Sequence, residues 1–238
     1  MNTDKLNFVV PAKAKMTSMI LMAVGLVSII CMFMFDKQPD DHHYHATRAW
    51  ANVFAGAFFF MAIALAAAFF LGLQYAAESG WSTTIKRVIE AVTWYLPVGL
   101  SFLLLIFICG QLHLHNIYPW MAEGIATEGH ENYDAVIAAK ISYFGAFWWI
   151  RTILYMVAWV LFTWKLRKNS MDADALGHEE AKGFHWKNIK LSAWFMVVFA
   201  VTSSTSAWDW IMSIDTHWFS TMMGWYLFSG MWVSAMIT

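Results

Sequence analysis

The residues able to do chemistry in this chain are few, and they gather at the edges of long apolar runs. The segment TSSTSAWDWIMSIDTHWFSTMMGWYLFSG, from Thr202 to Gly230, places Asp209, Asp215 and His217 among Trp208, Trp210 and Trp218. Arg151 stands inside another apolar run, His113 and His115 lie in QLHLHNIYPW, and Glu90 opens a third run. Carboxylates and imidazoles take and release protons, and a guanidinium holds oxygen anions. Such groups are costly near hydrocarbon, so their presence there is a functional hypothesis by default.

The runs themselves set the frame. The chain is 60% hydrophobic and only 13% charged, against about a quarter charged in soluble domains. Several runs approach the ~20 residues that cross a bilayer. The fold class is therefore all-α, a polytopic transmembrane bundle, with spans expected near 17–35, 49–74, 91–112, 142–164, 189–212 and 218–238 after a tail at 1–16. The runs are too long and too uniformly apolar for barrel strands. The apolar run after the basic flank is long and lacks a small-residue cleavage site, so it is read as a retained span. The final run ends at Met236-Ile237-Thr238 without a basic flank, from which a longer polypeptide is expected.

Lysine and arginine orient the spans. Lys5, Lys13 and Lys15, then Lys86 and Arg87, then Lys165, Arg167, Lys168, Lys182, Lys187 and Lys190 fall on one side; Lys37, Arg48 and Lys140 fall on the other. The positive-inside rule then expects a cytoplasmic N-terminus. His113, His115, Arg151, Asp209, Asp215 and His217 collect toward the outer surface, and Glu90 lies on the cytoplasmic side. A one-sided polar cluster suits a quinol site, where two ring oxygens are held and two protons leave, or a proton exit.

Each residue also has a plainer reading. Arg151, about nine residues into its span and roughly 13 Å deep, could form a structural ion pair with Asp209. Asp209 could be a wet acid in an aromatic belt. Asp215 and His217 could be solvated, and His113 and His115 interfacial. Glu90 suits either a proton entry or a helix dipole. The run Asp40-Asp41-His42-His43-Tyr44-His45 has metal-like density in an exposed loop without supporting partners, and no metal is assigned to it. The Ser/Thr run 202–206 is read as interhelical hydrogen bonding, and Pro97 with Gly99 as a kink. Trp and Met are read mainly as lipid contact and packing.

Composition also excludes. A formal net charge of −1 and no basic stripe argue against nucleic acid. Cys31 and Cys109 stand apart with no C-x-x-C, so iron–sulfur ligation and covalent haem are not expected. No histidine lies mid-span, so a b-type haem is not expected either.

The motif SAWDWIMSIDTHWFSTMMGWYLFSG, with HLHNIYPWM and KISYFGAFWWIR, resembles the second quinone-binding membrane subunit of alternative complex III, the bacterial quinol:cytochrome c oxidoreductase. The likeness runs from about 90 to 230 and includes the arginine at Arg151. That family is similar to the membrane subunits of polysulfide reductase. The resemblance implies about ten spans in two four-helix bundles, in the bacterial inner membrane. It implies a sister quinone-binding subunit, multihaem cytochrome c and iron–sulfur subunits as partners, and menaquinol or ubiquinol as substrate. This chain is expected to carry no cofactor of its own. A proton or ion translocator and a purely structural scaffold are the competing readings.

Overall fold

The computed structural model describes residues 10–35, 47–176 and 178–238. The Asp40–His45 run lies outside them. The described residues form α1 (Ala12–Phe35), α2 (Thr47–Ala76), α3 (Lys86–Thr93), α4 (Leu96–Gln111), α5 (Ala135–Asp174), α6 (His178–Trp210) and α7 (Met223–Ile237). Short 3-10 turns stand at Trp81–Thr84, Pro119–Met121 and Met212–Ile214, and no strand occurs among the described residues.

Five segments are long and apolar enough to cross a membrane: α1, α2, α3 with α4, α5, and Glu179–Ile214. The all-helical, multi-pass architecture expected from composition is therefore present. Within the sixth expected span, 218–238, the helix starts later, at Met223, and runs to Ile237. The third span also differs in detail. It divides at Trp94 and Tyr95, and Pro97 sits in the first turn of α4, where its missing N–H costs nothing.

α2 is the hub. It packs against α4, α6 and α7, and α6 packs against α5. α1 packs against α2 and buries no residue; an all-round apolar helix of this kind offers its sides to lipid or a partner. Gly99 lets α4 approach α2, since a Cβ there would lie 2.9 Å from that of Met61.

The α5–α6 hairpin carries most of the polar chemistry. On α6, Asn188, Ser192, Phe195, Phe199, Thr202, Ser206 and Asp209 are all buried. Their spacing alternates four and three residues, which keeps one seam facing a neighbouring helix over the full length. Trp148, Thr152, Tyr155, Trp159, Leu166 and Ser170 form the matching buried stripe on α5. Trp159 Nε1 donates to Thr202 Oγ1 at 2.8 Å, and Asn169 Nδ2 to Asn188 Oδ1 at 2.9 Å. These two pairs fix the antiparallel register. α5 is not continuous: Gly145 takes non-helical angles (φ −35°, ψ −132°) and breaks it one turn before Trp148.

Candidate functional site: a buried arginine–aspartate pair

Asp209 occupies the last turn of α6, where backbone carbonyls have no partner within the helix. The sequence supplies side chains instead. Trp148 Nε1 donates to the Asp209 carbonyl at 2.8 Å, Ser213 Oγ donates to it at 2.5 Å, and Tyr118 Oη donates to the Trp210 carbonyl at 2.7 Å. This closure fixes the aspartate backbone and points its side chain at α5.

There Arg151 meets it. Arg151 Nη2 donates to Oδ1 at 2.7 Å and Nε to Oδ2 at 2.8 Å, a two-pronged pair, and Tyr155 Oη donates to Oδ2 at 2.9 Å. Arg151 and Tyr155 stand four residues apart on one face of α5, so one carboxylate reaches both. The arginine side chain is 13% exposed and the aspartate 0%. The Gly145 break also matters here: the Tyr143 carbonyl, in the turn before it, accepts from Arg151 Nη2 at 3.2 Å. The rings of Tyr143 and Phe147 lie 3.8 and 4.3 Å from the guanidinium carbon. Arg151 Nη1 is buried with no hydrogen-bond partner among the described residues. An unpaired buried donor on a charged group costs about 1–3 kcal/mol or more, and it is a ready place for an oxygen acceptor.

Aromatic side chains keep the surroundings dry. Trp148, Trp159 and Trp210 are fully buried; Phe107 meets Trp148 at 5.1 Å, and Trp120 stacks on Phe144 at 5.0 Å. Of the two readings of Asp209, the arginine partner is the one present and the wet acid in an aromatic belt is not. Asp209 is enclosed because the α6 seam ends on it, and these tryptophans serve packing.

The remaining candidates separate. His217 Nε2 donates to Asp134 Oδ2 at 2.8 Å, and the His217 N–H donates to Asp215 Oδ1 at 3.1 Å. Asp134 also caps α5 through the Val136 and Ile137 amides, which with His217 hold its carboxyl below the usual carboxylate range. With Glu131 and Thr216 these groups line an open pocket of about 360 Å³. His113 stands at left-handed φ (57°), 3.7 Å from Glu123. His115 is buried: Nε2 donates to the Ile106 carbonyl at 3.0 Å, Nδ1 accepts from the Ile117 amide, and Trp50 lies against the ring. Burial lowers its pKa from the ordinary 6.5. No contact among the described residues joins either histidine to Asp209, so the single cluster expected from sequence resolves into a dry pair, an exposed acid–histidine group and a structural histidine. Glu90 is buried at the opposite end of the bundle. It pairs with Arg87, which also reaches Asp174 and the Ser170 carbonyl.

Sequence reading missed Tyr155, Tyr143, Trp148 and Asp134. The Arg151–Tyr155 spacing was a usable signal; the other three depend on contacts between elements. An apolar groove of about 970 Å³ between α2 and α7 has no acid, basic residue or histidine in its lining. No family model and no curated protein matches this chain.

Proposed function

We propose that this chain is an integral subunit, without a redox centre of its own, of a quinol-oxidising respiratory complex in the bacterial inner membrane, with its N-terminus cytoplasmic. In this reading a sister membrane subunit and extrinsic haem c and iron–sulfur subunits carry the electrons to cytochrome c. The Arg151–Asp209–Tyr155 centre then handles quinol oxygens or the protons they release. The observation that carries the reading is the unpartnered Nη1 of Arg151 beside a carboxylate and a phenol, inside helices long enough to span a membrane. Tyr143, Phe147 and Ile150 are exposed on this flank of α5, which gives a lipid-soluble ring an apolar approach. The motif around Trp208–Gly230 adds the family resemblance. The test is quinol-dependent acceptor reduction and proton release in the intact complex. Asp209→Asn with His217→Ala is expected to depress both. Unchanged turnover and proton release in an assembled double variant would overturn the site assignment.

Proton translocation is the second reading, favoured by Glu90 Oε1, buried without a partner. The α6 seam is polar at both ends, Asn188 and Ser192 near Glu90 and Thr202, Ser206 and Asp209 at the other, with Phe195 and Phe199 between. From Ser192 to Thr202 is about 15 Å along the helix, so this conformation offers no continuous hydrogen-bonded path along the seam. Glu90→Gln should lower protons moved per electron while electron transfer survives; loss of both together would reject this role.

A further inference from the structure

A second polar centre lies at the Glu90 end, where the C-terminal turns of α2 and α5 meet the start of α6 and the Trp81–Thr84 turn. It encloses a cavity of about 90 Å³, ample for water, which needs roughly 10–15 Å³. Its lining contains no carboxylate. It does contain Lys86 and His185, with Tyr75, Ser79, Ser82 and Ser170 around them.

One cation stands apart from the ion pairs beside the cavity. The nearby acids Glu90 and Asp174 are both taken by Arg87. The half-buried Lys86 ammonium makes no hydrogen bond or ion pair among the described residues. His185 meets the Tyr75 ring at 6.0 Å and, among the described residues, no acceptor. The Ser170 hydroxyl is buried without a partner. A fixed polar wall completes the cavity: Ser82 Oγ donates to the Ser79 carbonyl at 3.0 Å, and Ser79 donates to Gln74. Asn188 is held by Asn169 and the Leu166 carbonyl. The Lys86 ammonium, the His185 ring, the unpartnered Ser170 hydroxyl and the second amide N–H of Asn169 and of Asn188 complement a compact anion with oxygens on several sides. A phosphate fits that better than a planar carboxylate, and lysine serves phosphate as a point charge.

We propose that this cavity binds the phosphate of an anionic headgroup. The exposed flank beside it is apolar and aromatic, with Trp81, Ile85, Val88 and Trp186. Indole rings favour the headgroup level, and this end carries the lysine-rich loops that attract anionic lipid. A phosphate inside with acyl chains along that flank is a phospholipid; a phosphate alone is the soluble alternative of the same chemistry.

The experiment is retention by the intact protein in nanodiscs of phosphatidylcholine doped with phosphatidylglycerol, read by native mass spectrometry, with a thermal-shift titration of inorganic phosphate beside it. Wild type should retain phosphatidylglycerol over phosphatidylcholine. Lys86→Gln should weaken retention about tenfold, Lys86→Arg should restore it, and Lys140→Gln, exposed at the opposite end of the bundle, should leave it unchanged. Saturable stabilisation by inorganic phosphate, lost in Lys86→Gln and without lipid preference, would assign the site to free phosphate. Retention identical in wild type and Lys86→Gln, with no phosphate response, would overturn the proposal. Lys86 is half-buried and partnerless, so the variant folds; a helical circular-dichroism spectrum and the Lys86→Arg protein verify that.

Discussion

Two arginines hold carboxylates at opposite ends of the bundle, and the difference between them is hydration. Arg151 grips Asp209 with two prongs between packed helices, at 13% and 0% exposure. Arg87 is 42% exposed, and it divides itself between Glu90, buried, and Asp174, 61% exposed. The first pair sits where water is excluded, so each charge depends on the other and breaking one side strands a charge. The second stands next to solvent and a polar cavity, where screening reduces the worth of a pair to about 1 kcal/mol or less.

The sharpest way to break this contrast is to remove one member of the dry pair. Asp209→Ala or Arg151→Ala should cost about 3–5 kcal/mol of unfolding free energy, measured in detergent or nanodiscs. The double change Arg151→Met with Asp209→Leu should recover most of it, because two apolar side chains leave no stranded charge. A double variant as unstable as either single one would show that the pair is not the source of the loss. Tyr155→Phe comes next. It deletes one hydrogen bond to a charged acceptor, worth about 1.5–3 kcal/mol, and leaves the guanidinium in place; a change below that range would mean water replaces the phenol and the site is wetter than described.

Acid should act on the loop beside this end. His115 is held neutral by burial, with Nε2 donating and Nδ1 accepting. The unfolded chain binds a proton near pH 6.5 and the folded one only at lower pH, so stability is full above about 6.5 and falls as pH drops through that value. Melting temperature from pH 8 to 5 reads this, and His115→Gln should flatten the lower part of the curve. The smallest effect belongs to the wet cluster: Asp174→Asn should shift stability by less than about 1 kcal/mol, whereas Arg87→Ala, which strands buried Glu90, should exceed it. Equal losses for those two would erase the distinction between the partners of Arg87.

Much of this molecule was legible locally. Apolar runs of membrane length gave the helices, and the scarcity of charge singled out Arg151 and Asp209 as partners, because two ions in hydrocarbon have few other choices. The heptad-like spacing from Asn188 to Asp209 was also present in the letters. Pro97 marked the broken third span, although the break itself falls at Trp94 and Tyr95.

Tertiary structure decided the rest. Whether Asp209 is wet or dry depends on Trp148, Tyr155 and Tyr118, residues 54 to 91 positions away in the chain, and no window of sequence contains them. The break at Gly145 is equally invisible, since glycine is tolerated within membrane helices and only the docked Arg151 uses the carbonyl beside it. The chain chose its helices by the cost of leaving backbone polar groups in lipid, a local quantity. It chose the partners of its charges by the register of two antiparallel helices, a quantity that exists only once they pack.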